Sequence, residues 1–230
     1  MPDVSLRDLE HVLINFNHIG KDNQDEWIST IESWSSGNID TPFTIKPENF
    51  LDYAERDLKI NDDHHLVNCL SNIKRAIECQ IDSLLIGFGL FKKAKQKNWK
   101  FPTKLEKLNE IGIISPRFLS KVNKLRNLLE HEYSIPDREK VEDALDVAIL
   151  FIKYTDKFLY GIIQDFSFSG TKSYLDNVQT VLDYKNSQIL FEFEWYDENK
   201  KTVVSIDYNH PEYVAYLQWY VKMLEKKQRT

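Results

Sequence analysis

Residues 61–86 read Asn-Asp-Asp-His-His-Leu-Val-Asn-Cys-Leu-Ser-Asn-Ile-Lys-Arg-Ala-Ile-Glu-Cys-Gln-Ile-Asp-Ser-Leu-Leu-Ile, and this run sets the expected fold class. Leu66, Cys69, Leu70, Ile73, Ile77, Ile81 and Leu84 or Leu85 recur at the three- and four-residue spacing of one helical face. Asn61-Asp62-Asp63 supplies capping side chains ahead of it. The pattern predicts a helix from about His64 to Lys97, loosened near its far end by Gly87 and Gly89.

Outward from that helix, most segments read the same way. Pro47 stands at the first turn of a helix running to about Lys59, and residues 3–19 and 24–34 carry helical patterns. Beyond it come a short helix over Thr103–Glu110 and another begun by Ser115-Pro116. Pro136-Asp137 opens a long helix to about Gln164. Residues 167–171 read as a small-residue connector, and residues 174–184 fit helix or strand equally. Residues 188–196 alternate at the period of a strand, residues 202–208 form a second, and the turn between them predicts a hairpin. Pro211 to about Lys226 closes the chain as a helix. Seven glycines and seven prolines in 230 residues favour long helices over turn-rich β architecture. The expected fold class is mainly α, with a small hairpin-containing extension.

Composition narrows the setting. An apolar content of 42% with 13% aromatic residues excludes a disordered chain. No apolar run reaches the length of a membrane span and the first residues lack a signal pattern, so a cytoplasmic protein without membrane contact is expected. Cys69 and Cys79, the two cysteines, sit inside a helical pattern and indicate no disulfide framework. The net charge of −6 hides an asymmetry: Lys92 to Arg126 holds eleven basic residues against Glu106 and Glu110, 11 − 2 = +9. Such a segment suits a phosphate backbone and also reads as a solvated helix end and loop.

That segment leads into residues 125–133, Leu-Arg-Asn-Leu-Leu-Glu-His-Glu-Tyr. An always-charged guanidinium and an imidazole titrating near neutrality are the pair needed to cleave a phosphodiester without a metal. On a helix, Arg126 shares a face with Glu130, and Asn127 with His131. Arg126 and His131 point ~140° apart, so one chain's pair converges poorly on one phosphate. Two such helices across a two-fold axis would present both pairs to one cleft, which argues for a homodimer. In that site His131 exchanges a proton with the 2′-hydroxyl or the leaving 5′-oxygen. Arg126 stabilises the phosphorane charge, and Asn127 orients the imidazole. The same residues also read as an ordinary i,i+4 ion pair and a cation at a helix C-terminus. No metal or other cofactor is expected: Asp62-Asp63-His64-His65 reads better as a helix cap than as metal ligands. Nor is there a glycine-rich phosphate loop, a serine nucleophile elbow or a paired zinc-ligand motif.

Residues 110–133 resemble the small HEPN toxins that are paired with minimal nucleotidyltransferases. Those proteins also carry a short helix, a Gly-Ile-type turn and then Arg-Asn-x-x-x-His-x-Tyr. Residues 50–58 and 68–85 look like the earlier helices of that fold, so the resemblance spans about residues 47–165. It implies a HEPN-like up-down helical bundle over residues 46–165, flanked by an N-terminal helical extension (1–45) and a C-terminal α+β extension (166–230). It implies a dimeric, metal-independent endoribonuclease of toxin or antiviral systems, with Arg126, His131 and Asn127 catalytic. Lys121 and Lys124 would contact RNA, and Glu130 is a supporting neighbour. Tyr133 matches the tyrosine that a partner nucleotidyltransferase antitoxin modifies with AMP. The alternative expectation is a non-catalytic HEPN-like module binding RNA, nucleotide or protein.

Overall fold

The computed structural model describes residues 30–32, 35–115, 135, 137–169, 175–195 and 201–227. These fall into two units that do not follow chain order. One comprises the described parts of Met1–Gly37 with Ile163–His210, the other Asn38–Ile162 with Pro211–Thr230.

The second unit is helical. Helix α1 (Pro47–Leu58) opens on Pro47, whose missing N–H costs nothing in the first turn, and the Lys46 backbone N–H donates to Asn49 Oδ1 at 2.9 Å. Helix α2 (Asp63–Gly87) starts where Asp62 Oδ1 accepts the His65 backbone N–H at 2.8 Å. It ends because Gly89 turns into the left-handed region at φ 66° and the Leu90 N–H closes back on the Leu85 carbonyl. The expected run to Lys97 is therefore broken, and α3 (Phe91–Gln96) is a separate turn-and-a-half. Helix α4 (Phe101–Glu110) closes the same way, with Gly112 at φ 91° and Ile113 N–H on Leu108. Helix α5 (Arg138–Thr155) begins on Asp137, whose carboxylate accepts the Glu139 N–H at 3.0 Å. It gives way to a 3₁₀ turn at Asp156–Phe158. Helix α6 (Tyr213–Lys227) completes the unit. Helices α1 and α5 pack on α2, and Cys69, Ile73, Ala76, Ile77, Ile81, Leu84 and Leu85 form its buried face. Tyr213 of α6 donates its hydroxyl to the Phe88 carbonyl at 3.1 Å.

The first unit is a sheet. Strands β1 (Thr30–Glu32), β4 (Asp165–Ser169), β5 (Leu175–Asp183), β6 (Gln188–Trp195) and β7 (Lys201–Asp207) lie in the order β1-β4-β5-β6-β7, all neighbours antiparallel. Two short strands, β2 (Ser36–Gly37) and β3 (Ile162–Ile163), pair separately. Val178, Thr180 and Leu182 of β5, Ile189, Phe191 and Phe193 of β6, and Ile206 of β7 occupy one face, and all are buried. The period of two fixes that face.

The architecture is thus mixed α/β, and the expectation of a mainly α, up-down bundle with a hairpin extension is corrected. The expected hairpin is present as β6–β7, but it is the end of a five-stranded sheet. Residues 30–32 pair as a strand where a helix over 24–34 was expected, residues 162–163 form a strand at the expected end of a long helix, and residues 165–169 form a strand running into the expected connector. The reason is range: Thr30 pairs with Ser169, and neither a three-residue nor a five-residue strand carries a period that local reading can separate from loop.

Candidate functional site

Every residue assigned a chemical role from the sequence falls in residues 116–134. Arg126, Asn127, Glu130, His131, Tyr133, Lys121 and Lys124 all lie outside the described residues. The two ends of that segment are described. Ser115 directly follows the α4 closure, and Asp137 caps α5.

Around the start of α5, residues from α1, α2 and α5 form a polar cluster. Asp57 is the hub: its Oδ1 accepts from His65 Nδ1 at 2.9 Å and its Oδ2 accepts from Asn72 Nδ2 at 3.0 Å. A carboxylate holding Nδ1–H fixes the tautomer and leaves His65 Nε2 as the basic nitrogen, with Asp62 Oδ2 3.7 Å away. Arg138, the first residue of α5, donates from Nη2 to the Leu58 carbonyl at 2.6 Å and from Nε to Glu142 Oε1 at 3.0 Å. Its Nη1 is buried and has no partner among the described residues. Chemically the cluster holds an imidazole oriented by Asp57 and, on the carbonyl of the next residue, Leu58, a guanidinium with an unused donor. Sequence reading missed it because its members come from three helices. The available signal was the i, i+4, i+7 row of His65, Cys69 and Asn72, a polar edge on an otherwise apolar face.

The basic stretch divides in two. Lys104 Nζ lies 2.6 Å from Asp82 Oδ1 and Lys107 Nζ 2.6 Å from Glu110 Oε2, so these two are neutralised within the fold. Ahead of them, residues 91–101 hold Lys92, Lys93, Lys95, Lys97 and Lys100 and no acid. Lys92, Lys95, Lys97 and Lys100 are exposed, and the Lys95 ammonium sits 4.6 Å from the Phe91 ring centre.

Other candidates resolve into structural roles. Asp62 caps α2, as the sequence suggested for Asp62-Asp63-His64-His65, and among the described residues no group of three or more His, Cys, Asp or Glu side chains is arranged to hold a metal. Burial lifts the Cys69 thiol to about 11, with the nearby Asp57 charge adding to it. Burial likewise lifts Cys79 to about 11, reinforced by Asp82 and Glu48. Neither is a thiolate at neutral pH, and both are free. Tyr208 and Tyr213 are buried. No described helix is long and apolar enough to cross a membrane. No protein-family model matches the chain, and no curated protein and no solved structure matches it significantly.

Proposed function

We propose that this chain is a metal-independent endoribonuclease of the HEPN type, acting as a homodimer in a toxin, antiviral or stress role. The observation that carries the proposal is the spacing Arg126-Asn127-x3-His131-x-Tyr133, placed directly after a lysine-rich segment in an otherwise acidic chain. In the reaction the RNA 2′-oxygen attacks the adjacent phosphorus while the bond to the 5′-oxygen breaks. His131 of one protomer accepts the 2′-hydroxyl proton, and the symmetry-related histidine supplies the proton that the 5′-oxygen requires. Arg126 carries the charge that builds on the phosphorane oxygens. The products are a 2′,3′-cyclic phosphate and a 5′-hydroxyl. Tyr133 is the position at which a nucleotidyltransferase antitoxin would silence the enzyme by adding AMP, placing a bulky anion two residues from the base.

A second reading, a non-catalytic RNA-binding or protein-interaction module, rests on Glu130. Its carboxylate stands four residues from Arg126, the spacing of a helical ion pair that would occupy the guanidinium. Cleavage of structured and unstructured RNA in EDTA separates the two. The enzyme predicts cyclic phosphate ends from the wild type, and a loss of about 100-fold or more in rate for both His131→Ala and Arg126→Ala. Equal rates in all three proteins, or no cleavage by a folded dimeric wild type, would favour the module.

A further inference from the structure

We infer that the turn joining α3 to α4 is a docking surface for single-stranded RNA, separate in sequence from the residues that cleave it; the inference rests on the ribonuclease reading for the choice of RNA. The backbone there is fixed. Lys97 N–H donates to the Lys93 carbonyl and Trp99 N–H to the Ala94 carbonyl, both at 2.9 Å, around Asn98 in the left-handed region at φ 50°. From this closed turn rise Lys95, Lys97 and Lys100, all exposed, with the half-buried Trp99 between Lys97 and Lys100 in the chain and the half-buried Phe91 ring under the Lys95 ammonium.

Charge alone would fit several polyanions, and three features select among them. The cations are all lysines, point charges without the planar fork that arginine offers to a single phosphorylated side chain. A membrane surface would need exposed apolar side chains beside the charge. Here Leu90 and Ala94 are buried, and no large hydrophobic side chain between 90 and 101 is strongly exposed. The half-buried Trp99 ring among the lysines supplies a face for an unpaired base, which single strands offer and duplexes do not. A helix C-terminus is favourable for one or two cations. Five lysines and no acid in eleven residues, on a chain of net charge −6, exceed that requirement.

The test uses the full chain and a fluorescent, fully 2′-O-methylated 12-nucleotide RNA, which keeps bases and phosphates but lacks the attacking hydroxyl. Anisotropy titrations across a salt series give affinity and its salt slope. Wild type is expected to bind, more tightly than it binds the same sequence as a duplex. The combined Lys95→Gln, Lys97→Gln, Lys100→Gln variant should bind at least tenfold more weakly, with a slope smaller by about 2, since each lost phosphate contact removes about 0.7. Arginine at all three positions should restore binding. Unchanged affinity and slope in the glutamine variant overturns the surface. So does binding to anionic phospholipid vesicles without binding to the RNA, or tighter binding to the duplex. The readouts also separate this inference from the function it rests on. Lysine-dependent binding without cleavage of unmethylated RNA upholds the surface and removes the nuclease. Cleavage of unmethylated RNA with normal binding by the glutamine variant removes the surface and leaves the nuclease standing.

Discussion

Asp156 carries a pH signature that burial sets. Gln80, buried in α2, donates from Nε2 to Asp156 Oδ1 at 3.0 Å and to Thr155 Oγ1 at 2.8 Å. Burial nevertheless raises the Asp156 pKa above 3.8, with the Glu48 charge adding to it and the Gln80 bond opposing. The folded chain therefore binds more protons than the unfolded one just above that value, and this residue's contribution to stability falls as pH rises through the window. Asp156→Asn keeps an acceptor for Gln80 and removes the charge. The melting temperature of the variant minus that of wild type should grow more positive from about pH 4 to pH 7. A difference that shrinks over that range would show a carboxylate stabilised in its charged form, and the attribution to burial would fail. Asp57, in contrast, accepts from two side chains, His65 and Asn72.

The strands make the same distinction among elements. Thr180 on β5 is fully buried, and its Oγ1 has no hydrogen-bond partner among the described residues. An unpaired buried hydroxyl costs on the order of 1–3 kcal/mol. Thr180→Val keeps the branched shape and strand propensity and should raise unfolding stability by about 1 kcal/mol in denaturant titration; a loss of that size would reveal a hidden partner. Elements were legible from sequence where the pattern was long. The core face of α2, the inward residues of β6 and the start of α1 at Pro47 stand where periodicity and capping chemistry put them. The misread segments were short or ended by tertiary pairing. Residues 175–183 form a strand because β4 and β6 flank them, a fact absent from their own ambiguous pattern. Helix α5 stops at Thr155, nine residues before the expected Gln164, because the chain turns through a 3₁₀ segment and Gly161 at φ 65° into β3 and β4. The site divides likewise. A nine-residue motif is readable in one line of sequence, whereas the Asp57–His65–Asn72–Arg138 cluster exists only after three helices assemble.

At the scale of the whole molecule, the chain is interleaved: four of the sheet's five strands are inserted between α5 and α6, yet α6 belongs with the helical unit. It is a structural part of that unit. Tyr213, Tyr216, Leu217, Tyr220, Val221 and Leu224 are all buried, and Tyr213 is tied to the turn that ends α2. At about 1.5–3 kcal/mol per large buried side chain, these six contribute on the order of 10 kcal/mol. That matches the entire net stability of a typical domain, about 5–15 kcal/mol. A chain stopped after His210 would keep every helix of the expected 46–165 segment and all five strands of the sheet. It should still fail to fold, giving insoluble protein or a soluble form without near-ultraviolet circular dichroism or a cooperative transition. Such a chain, soluble and unfolding cooperatively at close to the full-length midpoint, would demote α6 to an appendage. The outcome bears on function as well, since a truncated chain that folded could be assayed for RNA cleavage without its last helix.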